Sequence, residues 1–441
     1  MSEANLERRQ FFSVLAATTA GLSALGCQAA AGQTAAGQAA TAPPADDWAR
    51  VRAEFSVAPD YVHLAGFLLA SHPRPVREAI ERHRKALDDN PALYVEQHFA
   101  DAKSVLEPAA AYLGVKPEEI ALTDSTTMGL SILYAGLPLV PKDEVLTTTH
   151  DHYATHESLR LATLRAGASL RKVALYERSS EATPAAMAAA VSKAIRPETR
   201  VVALTWVHSS TGVRIPVRAI ADVIASANAS RTPEQRISFC VDGVHGFGIE
   251  DVTMADLGCD FFAAGTHKWI FGPRGTGILW GRAEHWSKLR PVIPHFGRAA
   301  YEAWMKGVTP PPTTADMMTP GGFHSFEHRW ALGAAFQFHL EIGKRKVAER
   351  IHELNRQCKE GLARMKNVQL HTPRSDEASS GIITFEIAGL KPDEIVQRLL
   401  EKRIVASSTP YATSYARLAP GLLNSPSEVD RALAEIRSIA G

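Results

Sequence analysis

The stretch GTHKWIFGPRGTGILW, residues 265–280, sets one lysine, Lys268, between His267 and Trp269 in an apolar, glycine-rich neighbourhood. Burial or a nearby cation lowers the pKa of an amine, and a neutral amine attacks a carbonyl to form a Schiff base. A lysine can equally end a strand in solvent, so Lys268 acquires meaning only from its companions. The run FCVDGVHGFG places Asp242 at the end of its apolar part, with His245 three residues on. A carboxylate at a strand end can hold a protonated heteroaromatic nitrogen, while an Asp-Gly pair also serves as an ordinary turn.

Three other clusters carry polar chemistry. In ALTDSTTMGL an apolar run is followed by Ser125, Thr126 and Thr127 and then by a helical pattern. Hydroxyls and free amides at a helix start suit a phosphate, and the same residues make a simple N-cap. TTTHDHYATHE offers His150, His152 and His156, with Asp151 and Glu157 beside them. Those spacings allow a metal-dependent hydrolase. They also allow one imidazole lying flat on a cofactor ring, or plain surface histidines. In YARLAPGLL, Arg417 ends a short strand-like run, where its guanidinium fork could grip a substrate carboxylate or face solvent.

The elements that must position these residues are short. Apolar, β-branched runs (EIALTDSTT, EVLTTTH, SLRKVAL, RVVALTWVH, ISFCVDG, CDFFAAGT, TGILW) alternate with helical stretches such as 184–195 and 216–229. That alternation predicts an α/β protein with a mostly parallel sheet covered on both faces, and ligands at the strand ends. Nearly every polar cluster falls at the end of such a run. A Pro/Gly-rich stretch at 308–326 and a long helical segment after it lead to a smaller α+β tail. The chain of 441 residues is 45% hydrophobic, enough for two or three domains. Its 48 Lys and Arg against 47 Asp and Glu argue against a nucleic acid or anionic membrane partner. Cys27, Cys240, Cys259 and Cys358 have neither metal nor disulfide spacing.

The N-terminus reads as a targeting segment. ERRQFFSVLAATTAGLSALG pairs Arg8 and Arg9 ahead of a short, weakly apolar run, too short to span a bilayer comfortably. It looks like a twin-arginine export signal over residues 1–33, followed by a disordered linker at 34–45, and it predicts a periplasmic or exported protein. Cys27 is an alternative site for a lipid anchor, although the residues before it match that motif poorly.

Taken in order, YVHLAGFLLASHPRPV, TDSTTMGL, DHY, WVHSSTGVRIPV, VDGVHGFG, LGCDFFAAGTHKWIFGPRGTGILW and ARLAP resemble one family over about residues 50–440. It is the class V aminotransferase branch of pyridoxal-phosphate enzymes, which includes cysteine desulfurases, and the likeness is greatest to its isopenicillin N epimerase-like members. The resemblance implies a fold-type I transferase, with a segment at 46–75, a large cofactor-binding domain at 76–310 and, at 311–441, a small C-terminal domain with its connecting loop and helix. It implies pyridoxal 5′-phosphate as cofactor and Lys268 as its covalent tether and the carrier of the Cα proton. Asp242 would pair with the pyridine nitrogen and His245 would approach the phenolic oxygen. His152 would stack on the ring, with Tyr153 sharing that task, and Ser209 would lie near the cofactor. Thr126, Thr127, Thr266 and His267 would hold the phosphate, and Arg417 the carboxylate of an amino-acid or peptide substrate. A homodimer is implied as well, and export suggests the tailoring of a secreted peptide or siderophore.

Two departures stand out. The loop VASSTPYATSYAR lacks the nucleophilic cysteine of cysteine desulfurases. GGFHSFEH replaces the glycine–threonine pair that reaches a neighbouring subunit's phosphate, which leaves His324 or Ser325 as its substitute. A cofactor-free binding protein on the same fold is the remaining alternative, with the intact lysine, aspartate and arginine against it.

Overall fold

The computed structural model describes residues 47–98 and 102–441. The twin-arginine segment, the linker and Cys27 lie outside the described residues. Among the described residues, no helix is long and apolar enough to cross a membrane.

A seven-stranded sheet forms the large unit. In chain order its strands are β2 (Ile120–Thr123), β3 (Glu144–Thr148), β4 (Ser169–Val173), β5 (Thr199–Thr205), β6 (Ser238–Asp242), β7 (Phe261–Gly265) and β8 (Gly277–Gly281), after a short β1 at Val62–His63. They are ordered β2-β8-β7-β6-β5-β3-β4, and only β8 runs against its neighbours. Side chains alternate between two cores, as a period-two strand buried on both faces requires. Val202, Leu204, Phe239, Val241 and Phe262 face one core, and Val201, Ala203, Cys240, Phe261 and Ala263 the other. The second core is roofed by α1 (Thr126–Gly136) and α2 (Tyr153–Ala166) through Leu130, Leu133 and Leu159.

The small unit is a four-stranded antiparallel sheet, ordered β12-β13-β10-β9, with β9 at Val368–Leu370, β10 at Ile383–Ile387, β12 at Ser407–Ser408 and β13 at Ala416–Leu418. Val62 and Leu64 of the N-terminal segment join its core, and β1 pairs in parallel with β11 (Ile404–Val405). The helix α3 (Phe326–Ile342) buries Leu332, Ala335 and Phe336 in the large unit. The small unit's own elements therefore resume at α4 (Lys344–Ala363), after the connecting loop and helix.

A buried carboxylate fastens the two units. Glu250 of the large unit is bonded by Arg214, by His352 Nε2 of α4 at 3.1 Å and by Ser380 Oγ at 2.5 Å. The turn after β6 is fixed by close packing. It is closed by Gly246 N–H and Phe247 N–H donating to Gly243 O, and the backbone presses on two aromatic rings. A Cβ at Gly243 would fall within the Phe262 ring, and one at Gly246 within the Trp206 indole. Gly243→Ala and Gly246→Ala should each destabilise the fold by about 1–3 kcal/mol, the range for overpacked cores. Urea unfolding midpoints check this.

Candidate active site

Several polar groups converge where the co-directional strands end, the place where open α/β sheets bind ligands. β6 ends in Asp242, which is 2% exposed. Its Oδ1 accepts the Val244 N–H at 3.2 Å, and its Oδ2 accepts the Thr155 hydroxyl of α2 at 3.1 Å. Burial raises its pKa to about 6, while the Val244 N–H, the Lys268 charge and Thr155 hold it down.

β7 leads directly into Thr266, His267 and Lys268. The Lys268 ammonium donates to His245 Nε2 at 3.3 Å. Burial lowers the Lys268 pKa from 10.5 to about 8, with Asp242 opposing the shift and Arg417 adding to it. Burial, reinforced by Lys268 and Arg417, pushes His245 well below its ordinary value, so it is neutral. With Nε2 accepting, its Nδ1 carries the proton and is buried without a partner.

Arg417 enters from β13 of the small unit and is 3% exposed. It donates from Nε to Ser407 Oγ at 3.1 Å, and through its two terminal nitrogens to the carbonyls of Ser209 and Ser408 at 2.9 Å each. Its guanidinium also lies 4.7 Å from the centroid of the Phe67 ring. Every acceptor is neutral, and burial lowers its pKa to about 10. Neither Lys268 nor Arg417 has a carboxylate within ion-pair distance among the described residues. A buried cation without a counterion is costly, so the pocket is preorganised for anions.

The start of α1 is built in a way that suits a phosphate. Ser125 Oγ accepts from Met128 N–H and Ser125 O from Gly129 N–H. The amides of Thr126 and Thr127 are thereby left to the site. Thr126 Oγ1 accepts the Gly265 N–H at 2.7 Å, which docks this helix end on β7. A Cβ at Gly265 would lie 3.0 Å from both His267 Cε1 and Thr126 Oγ1, so the missing side chain keeps this cradle open. The Thr127 side chain is exposed, and its contribution is the amide.

His152 caps α2. Its Nδ1 accepts the Ala154 N–H at 3.1 Å, which places the ring proton on Nε2. Burial and the Lys268 and Arg417 charges lower its pKa, so a neutral, flat ring is presented. Ser209 Oγ lies 2.6 Å from the Tyr411 hydroxyl.

Several expectations need correction. Thr266 is fully buried, its hydroxyl bonded at 2.5 Å to Thr276 Oγ1, which itself donates to Pro273 O. It shapes the loop and faces no phosphate. Tyr153 is 72% exposed and does not share the work of His152. The metal reading fails on geometry. His150 Nε2 accepts the Leu175 N–H, and its ring stacks on Tyr176 at 3.9 Å. His156 Nε2 donates to Thr148 O. Asp151 is consumed by Thr147, Thr148 and the Thr205 amide, and Glu157 pairs with Arg160. Among the described residues no group of three potential ligands gathers. His324 Nδ1 lies 3.1 Å from Gly322 O with Nε2 unpartnered, and exposed Ser325 precedes α3 without a side-chain cap bond.

Sequence reasoning overlooked Thr155, Phe67 and Tyr411. Thr155 sits three residues after His152 at the start of one helix, a spacing that sets two side chains on the same face. Tyr411 was visible only as part of a loop noted for lacking cysteine.

These residues fit pyridoxal phosphate. The uncompensated Lys268 ammonium, the open cradle at Gly265 and the buried Asp242 match its aldehyde, phosphate and ring nitrogen in turn. The unpaired amine has a thermodynamic signature in the cofactor-free protein. Between pH about 8 and 10.5 the unfolded chain binds more protons at this lysine, so its contribution to stability rises with pH across that window. Lys268→Met should raise stability near pH 7 by about 1–2 kcal/mol and flatten that rise, as read from unfolding midpoints across pH.

The chain is similar to known proteins over most of its length. A profile for "Aminotransferase class-V" matches residues 84–417. Isopenicillin N epimerase of Streptomyces clavuligerus is 26% identical over 407 residues, covering 90% of this chain and 99% of that protein. Apo cysteine desulfurase from Thermococcus onnurineus NA1 superposes with a TM-score of 0.78 at 20% identity, covering 91% and 99% of the two chains. A mutant of C-DES with glycine covalently linked to its PLP cofactor superposes with a TM-score of 0.77 at 21% identity, over 88% and 98%. The fold is that of these fold-type I structures. The chain belongs to the class V aminotransferase family, and it is an enzyme dependent on pyridoxal phosphate.

Proposed function

We propose that the enzyme acts at the Cα–H bond of an amino acid, or of an amino-acid residue with a free α-carboxylate at the end of a peptide. The observation that carries this is the pair of buried cations without counterions, Lys268 and Arg417. One suits a cofactor aldehyde, the other a substrate carboxylate, and a guest bridging both carries its Cα between them.

When bound, pyridoxal phosphate supplies an electron sink for the pair left behind as the Cα proton departs. The chain does the rest. Asp242, held by Thr155 and Val244 N–H, keeps a proton on the ring nitrogen. His245, neutral and beside Lys268, would lie next to the ring oxygen. Lys268 would tether the cofactor and, with its pKa lowered to about 8 by burial, would take the Cα proton once free. Arg417 orients the carboxylate, and Phe67 shields that side from water.

Persulfide chemistry is disfavoured. Cys240 and Cys259 are buried in the two cores of the large sheet and Cys358 in the core of the small unit, with their thiol pKa values raised by burial. The loop 406–416 offers serines, threonines and tyrosines instead. The likeness to isopenicillin N epimerase, nearly end to end, supports a substrate in which the amino acid is part of a larger molecule. The twin-arginine pattern at Arg8 and Arg9 supports export, and with it a secreted peptide or siderophore as target. Exposed Trp304 (75%) and Phe323 (85%) on the 292–326 segment support a homodimer.

Adding pyridoxal phosphate to the purified protein should produce a visible absorbance band, and borohydride should fix the cofactor to a Lys268 peptide identified by mass spectrometry. A protein that stays colourless overturns the proposal. Arg417→Ala should weaken kcat/KM for carboxylate-bearing substrates by on the order of 100-fold or more, and for the matching amines little. Equal losses would remove the assigned role of Arg417.

A further inference from the structure

Tyr411 is the one residue at the site for which neither cofactor binding nor carboxylate binding has a use. It sits at the tip of the loop between β12 and β13, whose neck is tied firmly. Thr409 N–H donates to Tyr415 O at 2.9 Å, Tyr415 N–H to Thr409 Oγ1 at 3.0 Å, and Ser414 Oγ to Thr409 O at 2.8 Å. Ala412 and Thr413 are exposed, while Tyr411 turns inward. Its ring meets His152 edge-on, with centroids 6.2 Å apart and planes at 79°. Its hydroxyl reaches Ser209 Oγ at 2.6 Å, next to the carbonyl that anchors Arg417.

Two proton-bearing groups therefore enter the pocket from different units. Lys268 comes from the end of β7 beside His245. Tyr411 comes from the small unit beside His152, the ring expected to stack on the cofactor. A single base returns a proton to the side from which it took it, whereas two bases on separate elements permit inversion. Burial raises the Tyr411 pKa, so the hydroxyl keeps its proton to give, while the bond to Ser209 and then the Arg417 charge oppose that rise.

We infer that Tyr411 is the second proton carrier of the active site, completing an inversion of configuration at Cα with Ser209 as its proton relay. This rests on the Cα reading proposed above. The Cα–H bond breaks toward the Lys268 amine, and the electron pair is retained as described above. A new Cα–H bond forms with the proton of the Tyr411 hydroxyl, leaving a phenolate that Ser209 Oγ reprotonates from solvent. Lys268 returns its proton to solvent. Nothing is oxidised or reduced, and no co-reactant is consumed.

The test uses holoenzyme in deuterated water with two probe mixtures, L-amino acids and dipeptides with a free C-terminal carboxylate. Deuterium at Cα is read by mass spectrometry and configuration by chiral chromatography. The wild type should exchange and invert at least one probe. Tyr411→Phe keeps the ring against His152 and removes only the hydroxyl. It should bind pyridoxal phosphate within about twofold of wild type by absorbance titration and still exchange Cα–H, while inversion falls about 10²–10⁴-fold, the usual contribution of a general acid. Ser209→Ala should slow inversion by a smaller factor and leave exchange intact. Inversion by Tyr411→Phe at the wild-type rate, or exchange without inversion in the wild type, overturns the assignment while leaving Cα chemistry standing. Absence of exchange in the wild type overturns both.

Discussion

Everything at this site follows from two positive charges that the fold buries without a negative partner. A guanidinium 3% exposed and bonded only to neutral oxygens is an expensive thing to keep. So is an amine brought close to neutrality beside a histidine that burial holds uncharged. The one carboxyl in reach, Asp242, is itself buried and lies outside ion-pair distance of either. The protein thus stores electrostatic need, which a cofactor aldehyde at Lys268 and a substrate carboxylate at Arg417 would relieve together. Binding and reactivity share this cause, because the desolvation that attracts the anion also frees the lysine lone pair.

The sheet makes that arrangement affordable. Because β2, β3, β5, β6 and β7 run in one direction, their ends bring Ser125, His152, Ser209, Asp242 and Lys268 to one rim. Asp151 secures that rim by bonding to hydroxyls and amides at the ends of β3 and β5. The histidines around it take the same kind of work, His150 against Tyr176 and His156 on Thr148. A cluster whose composition suits a metal is in fact joinery between strand ends, and it lets His152 alone face the pocket.

How far the sequence could be read depended on how local each constraint was. Lys268 with its glycines, the Asp242–His245 turn and the threonines at the start of α1 are short segments. Their types and spacing mark them as polar clusters at strand ends, the family resemblance supplies the roles expected of them, and the sheet followed from alternating strand and helix patterns. Thr266 misled because the bond to Thr276 that buries it lies across a loop, invisible to spacing. Thr155 and Asp242 are 87 residues apart, and Ser209 and Tyr411 are 202 apart. Pairings over such distances leave no periodic trace, so the second partner of Asp242 and the loop tyrosine emerged only in three dimensions. The connecting helix α3 packs on the large unit, and its amphipathic face alone does not say which core it joins.

The bond from Arg417 to the Ser209 carbonyl spans 208 residues of chain. Contacts of such high order close late, since the loop entropy must be spent before they return anything. The carboxylate grip therefore cannot exist in a half-folded chain, even when the Lys268 side of the pocket is already built. Selection of a carboxylate thus depends on docking of the small unit, whereas Lys268 and its neighbours Asp242 and His245 belong to the large unit alone.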